Sequence, residues 1–384
     1  MVLGGTGVIL AWRLVDPQIL IENFYREFQG KTSASQESIV ASHLTPTDTP
    51  VTRPSKPPTP KAPELIYNPK VAPNLQFSAE LQGIVDTGVK LAAAQELPLE
   101  NLSIYLIDVQ HQTFAEYRSQ TPRFPASVAK LFWMVALYGQ VNARQLPPDA
   151  VAYTPECQTD VCKLIQYSDN ESASNIIDQL TQTTSDLTKP PKEYKDWLNQ
   201  RHSINQFFQK AGYQQIDVSQ KNYPIPSLGM DQPEDWELKM RGSWEQPIRN
   251  QITASQVGRI MYEIVRNKAI SPAASQAMLN LLTRNLNPDT WQAEEYTALY
   301  EFLGEPFIGT EVQFASKVGW TSDSRTEVAF IRDPSGQVAY VLAVLGDGEP
   351  YSANVSFFPA LSQSIYNQMM ALPKPKTQNL QSND

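Results

Sequence analysis

Apolar positions change their spacing along the chain, and each change marks an element. At residues 79–94, Leu81, Ile84, Val85, Val89 and Leu91 recur every three to four positions, the period of one helix face. Residues 102–108 alternate instead, and a turn over 108–113 leads into a second short alternating run at 113–118, which predicts a strand pair. The middle of the chain is mostly of helical period, including a helix over 255–265. Three more strands are predicted near 313–321, 327–332 and 337–345, with Asp333-Pro334-Ser335-Gly336 as the turn of the last hairpin. A helix over roughly 355–371 closes the pattern. Strands at both ends flanking helices in the middle imply an α+β fold. The end strands would form one antiparallel sheet flanked by helices, and the middle an all-helical lobe.

The flanks read differently. Residues 1–14 are small and apolar apart from Arg13, and residues 15–29 have the pattern of a short amphipathic helix. The apolar run is shorter than the ~20 residues of a spanning helix and has no basic start, yet it ends in a basic residue. We read residues 1–29 as a membrane anchor whose start lies upstream. Residues 30–76 are rich in Ser, Thr and Pro, a composition that buries too little to fold and reads as an extended tether. The globular domain is expected over 77–372, followed by a polar tail over 373–384. The segment around 189–195 looks like a surface insertion.

Composition narrows the chemistry. With 384 residues, 41% of them hydrophobic, the chain can bury a sizeable core. Its formal charge of −9 excludes nucleic acid as an expected partner. The three histidines, His43, His111 and His202, stand apart from one another and from any cysteine, so neither a metal site nor a Ser-His-Asp triad is expected. Cys157 and Cys162 enclose four residues, a short-loop disulfide if the compartment is oxidising.

Three short motifs remain. In Arg123-Phe-Pro-Ala-Ser127-Val-Ala-Lys130, Pro125 suits a helix start and a long apolar helix follows. Ser127 would lie at the positive end of that helix, with Lys130 on the same face. Apolar surroundings should lower the proton affinity of Lys130 and make its amine a base. Ser168-Asp169-Asn170 precedes another helix. Lys317-Val318-Gly319 lies on the first C-terminal strand, where Gly319 would admit a close backbone approach. Each motif alone has a plainer reading, as a snorkelling lysine, a helix cap or an edge-strand lysine.

In this order, and on a helix, a helix start and a late strand, the three motifs resemble those of the class A β-lactamases and related penicillin-binding serine enzymes. The resemblance spans residues 78–372. It implies that Ser127 is the acylated nucleophile, Lys130 its base or relay, and Ser168 the donor of a proton to the leaving nitrogen. Asn170 would hold a substrate amide, and Lys317 with Gly319 and Trp320 would form the opposite wall. The backbone N–H groups of Ser127 and Trp320 would make the oxyanion hole. For deacylation the family uses a loop glutamate, for which Glu234, Glu237 and Glu245 are candidates and Glu237 is preferred. Two positions depart from the pattern: Val318 replaces a hydroxyl residue, and where the loop usually has Asn this chain has Lys239 or another residue. The implied substrate is a β-lactam or a peptidoglycan-like amide, met by a monomer without cofactor outside the cytoplasmic membrane, in the periplasm or beyond. A peptidase that deacylates slowly and a tethered scaffold without turnover are the competing readings.

Overall fold

The computed structural model describes residues 67–152, 156–185, 193–243, 245–290 and 298–372. The expected anchor, most of the tether, the C-terminal tail and the centre of the insertion lie outside the described residues. No helix among the described residues is long and apolar enough to cross a membrane.

Strands β1 (Gln76–Phe77), β2 (Leu102–Asp108), β3 (Thr113–Tyr117), β4 (Gln313–Thr321), β5 (Ser324–Arg332) and β6 (Ala339–Asp347) form one sheet in the order β1-β3-β2-β6-β5-β4. All pairs are antiparallel except β1 with β3. Strands from the two ends of the domain therefore meet at β2 and β6, where Leu106 faces Leu342. Helices α1 (Ala79–Ala94), α2 (Ala129–Asn142), α3 (Asp160–Gln166) and α4 (Asn170–Thr181) precede α5 (Tyr194–Arg201), α6 (Ser203–Gln209) and α7 (Asp235–Arg241). Helices α8 (Ala254–Val265), α9 (Pro272–Leu282), α10 (Glu349–Ala353) and α11 (Phe357–Ala371) complete the domain.

All seven residues of β2 are buried because both faces of the sheet are covered. Ile104 and Leu106 pack with Leu81, Ile84 and Val85 of α1 and Leu361 and Ile365 of α11. Tyr105 and Ile107 turn the other way, into a core shared with α8 and the helical lobe. Helix α2 is the axis of that lobe. Its residues 129–139 are all buried, so it is apolar all round rather than amphipathic. Cys157 and Cys162 are joined by a disulfide at the start of α3.

One boundary differs from expectation. Residues 67–76, read from sequence as tether, pack on the domain. Tyr67 is 1% exposed and packs against Phe207, Phe208 and Tyr213. Its hydroxyl donates to Glu263 Oε2 at 2.7 Å. Arg259 donates to Pro69 O at 3.1 Å. A tyrosine can be buried this completely because its hydroxyl finds a partner at the far end of its pocket.

Candidate active site

Ser127 lies in a 3-10 turn, Ala126–Val128, just ahead of α2. Strands β4 and β5 grip this turn: Thr326 Oγ1 donates to Pro125 O at 2.9 Å. A Cβ on Gly319 would lie 2.6 Å from Pro125 O and 2.8 Å from Ser127 N, so only glycine lets β4 come this close.

The Lys130 side chain is completely buried. Its Nζ donates to Ser127 Oγ at 3.0 Å and to Asn170 Oδ1 at 2.7 Å, and it also contacts the backbone oxygen of Ser168. Burial lowers its pKa to about 7, with Asp169 pulling partly the other way. At neutral pH a large share of Lys130 is therefore free amine within reach of the serine proton.

Ser168 sits in the three-residue break between α3 and α4, in a left-handed conformation with φ 56°. Asp169 then caps α4 by accepting from Ser172 N at 2.6 Å. Ser168 Oγ accepts from Lys317 Nζ at 2.8 Å and from Lys130 Nζ at 3.3 Å. A hydroxyl has one proton and two acceptor lone pairs. With a lysine on each lone pair, the Ser168 O–H remains available to donate. Lys317 is fully buried and its Nζ also bonds Val318 O at 2.8 Å. Burial first, then the charges of Lys130 and Arg284, hold its pKa well below the usual lysine value. Strand alternation sends the Val318 side chain into the core on the opposite face. Trp320, next along β4, is 41% exposed, and its Nε1 donates to Ser352 O at 3.3 Å.

Residues 89–369 match the sequence profile of the β-lactamase enzyme family. The chain belongs to this family. The fold agrees with solved structures. A β-lactamase from Sphaerobacter thermophilus shares 17% identity and a TM-score of 0.51, with 75% of this chain covering 99% of that one. The structure of PBP-A shares 18% identity and a TM-score of 0.51, over 79% of this chain and 100% of that one. A point mutant of PBP-A, solved as an acyl-enzyme complex with penicillin G, gives 18% and 0.52 over 78% and 100%. No curated protein sequence matches the chain.

The structure of this β-lactamase-family domain thus brings Ser127, Lys130, Ser168, Asn170, Lys317 and Gly319 together. It also places there a residue that the sequence reading passed over. Asn222 Nδ2 donates to Ser127 Oγ at 3.2 Å. Its segment is held by Lys221, whose buried ammonium bonds Ser174 Oγ at 2.7 Å and Asp178 Oδ2 at 2.6 Å on α4. Asn250 brackets the neighbouring Gln220 backbone from both sides, at 2.9 and 2.8 Å. No motif marks Asn222; the available signal is that Lys221 is the single basic residue in 211–238.

Glu237 is held by partners of its own. It is buried on α7, where Arg201 Nη2 and Ser185 Oγ both donate to its Oε1 at 2.7 Å. Arg201 also reaches Asp178 Oδ1 at 3.4 Å, so Glu237 joins an ion network beneath the loop. Among the described residues no hydrogen bond joins Glu237 to Ser127, Lys130 or Asn222. Glu234 precedes α7 and Glu245 follows it, both exposed.

Proposed function

We propose that this chain is a serine acyl-transfer enzyme, acylated at Ser127 by a β-lactam or a related peptidoglycan-type amide and slow to release the acyl group. The observation that carries the reading is the buried Lys130 amine, 3.0 Å from Ser127 Oγ, with a pKa lowered to about 7. Neutral Lys130 takes the Ser127 hydroxyl proton as Oγ forms a bond to the carbonyl carbon. The carbonyl oxygen gains negative charge, which the N–H groups of Ser127 and Trp320 would stabilise by a few kcal/mol. The carbon–nitrogen bond then breaks. Ser168 gives its proton to the leaving nitrogen and is reprotonated from the lysines at 2.8 and 3.3 Å. An ester on Ser127 results.

Release of that ester needs a base to activate water. Two placements favour slow release. The loop side chain against Ser127 is the Asn222 amide, which accepts no proton at ordinary pH. Glu237, the loop carboxylate preferred from sequence, is engaged by Arg201 and Ser185. The reading therefore leans to a penicillin-binding, peptidase-like enzyme rather than an efficient β-lactamase. The apolar N-terminus and the Pro-rich tether suit work outside the cytoplasmic membrane.

The test is a fluorescent penicillin with intact-mass spectrometry. A long-lived adduct of the penicillin's mass, absent in Ser127→Ala, is expected. Rapid Ser127-dependent turnover would reinstate the hydrolase, and no adduct with any β-lactam or D-Ala-D-Ala-type thioester would leave a scaffold.

A further inference from the structure

Arg284 lies between α9 and β4, behind the cleft and nearly inaccessible to solvent. Its backbone N–H donates to Phe314 O at 2.8 Å, which fixes it to the start of β4. Its guanidinium spans three carbonyls. Nη2 donates to Ile165 O at 3.1 Å and Ser316 O at 3.0 Å, and Nη1 donates to Gln166 O at 3.1 Å. Ile165 and Gln166 end α3, immediately before Tyr167 and Ser168. Ser316 immediately precedes Lys317 on β4. The clasp is reciprocal, because Gln166 Nε2 donates back to Leu281 O at 2.5 Å at the end of α9.

We propose that Arg284 is a positioning residue for acylation, a staple that registers the Ser168 wall against the Lys317 strand so that the Lys317–Ser168 contact forms. The inference rests on the acyl-transfer reading above. Three features of the geometry support it. A cation at the C-terminal end of α3 satisfies orphan carbonyls and opposes the helix dipole. The rigid fork of an arginine bridges carbonyls on two elements, which the single ammonium of lysine cannot do equally well. Ser168 stands in a three-residue break, so its position depends on where α3 ends.

The staple also brings charge. The groups facing Lys317 are Lys130 from α2, Arg284 from the α9–β4 connection, Glu327 from β5 and the Ser168 hydroxyl. Arg284 and Lys130 disfavour the protonated form of Lys317, and Glu327 favours it. Arg284 therefore acts on the same contact twice, by distance and by field.

The experiment compares Arg284→Gln, Arg284→Lys and Glu327→Gln in the full chain. Melting temperature, the second-order rate of labelling by fluorescent penicillin, and the Lys317 titration by lysine-selective NMR without ligand are all measured. Misregistration on the scale of an ångström costs on the order of tenfold to a hundredfold in rate. Arg284→Gln should lose that much and titrate Lys317 at higher pH. Arg284→Lys keeps the charge, so it should lose rate with little change in the titration. Glu327→Gln should move the titration to lower pH. A fall in melting temperature with unchanged labelling and an unmoved Lys317 titration would overturn the proposal. Failure of the unmodified protein to label would sink the acyl-transfer reading instead, and the ligand-free titration would still decide whether Arg284 sets the state of Lys317.

Discussion

Asn222→Glu puts a carboxylate, one methylene further along the side chain, beside Ser127 Oγ, which the Asn222 amide now meets at 3.2 Å. Two opposed effects follow, and their sizes can be worked out. A positioned general base contributes on the order of 10² to 10⁴ in rate, or about 3–5 kcal/mol of barrier at 1.36 kcal/mol per decade. Release of the acyl group should accelerate within that range. The same carboxylate would lie roughly 5 Å from the Lys130 ammonium, where an effective dielectric near 20 gives an attraction of about 3 kcal/mol. That attraction favours protonated Lys130 and raises its pKa by about 2 units from the present value near 7. Acylation at pH 7 should therefore slow by up to about a hundredfold, then recover toward pH 9–10 as Lys130 loses its proton. Stopped-flow labelling with a fluorescent penicillin measures acylation from pH 6 to 10. Decay of the isolated adduct, followed by intact mass, measures release. If release stays as slow as in the parent while the shifted labelling profile shows the new carboxylate near Lys130, the missing base is not what limits release. An unshifted profile would show that position 222 does not face the lysine.

Other outcomes follow from single contacts. In the unmodified protein, labelling should rise with pH and reach half its maximum near pH 7, because the free amine of Lys130 is the competent form and burial sets its pKa at about 7; a flat profile over pH 6–9 would remove Lys130 as the base. Gly319→Ala drives a methyl group to within 2.6–2.8 Å of Pro125 O and Ser127 N, and labelling should fall at least on the order of a hundredfold, checked by initial rates with the melting temperature as control. Arg201→Ala leaves the buried Glu237 carboxylate without its cation and should cost about 3–5 kcal/mol in denaturant unfolding. Tyr67→Phe removes one hydrogen bond to Glu263 and should cost about 1.5–3 kcal/mol in the same assay.

Local spacing made the motifs readable in the sequence. Ser127 and Lys130 are three residues apart on one helix start, and the apolar run after them implied the burial that lowers the lysine's pKa. The strands were legible because alternation and the turn at 333–336 are local properties, although β5 begins at Ser324, earlier than the pattern suggested. Long-range partners were not legible. Asn222 meets a serine 95 positions away only because Lys221 and Asn250 steer its loop. Glu237 has the local look of a loop carboxylate, but its surroundings are decided by Arg201 at the end of α5, which no spacing rule connects to it. Tyr67 sits in a proline-rich run whose composition says tether, and its burial depends on an aromatic pocket assembled from residues 207–213.

The buried charges divide into two networks with different consequences. Under the loop, Arg201 and Lys221 are matched by Asp178 and Glu237, so each cation has an anion within hydrogen-bonding distance. Such a set holds its geometry, and its carboxylate oxygens are already taken up by the cations beside them. At the cleft the balance is reversed. Lys130 and Lys317 both reach Ser168 Oγ, Arg284 lies near Lys317, and the carboxyl of the nearby buried Glu327 is itself raised to about 7 by burial. Burial lowers the pKa of both lysines, and the neighbouring cations lower that of Lys317 further. The loop network braces the segment that carries Asn222, and the cleft network holds the groups to which the proposed proton transfer is assigned. On the proposed reading, release of the ester would need a base beyond these two networks, and the loop side chain that meets Ser127 Oγ is the Asn222 amide.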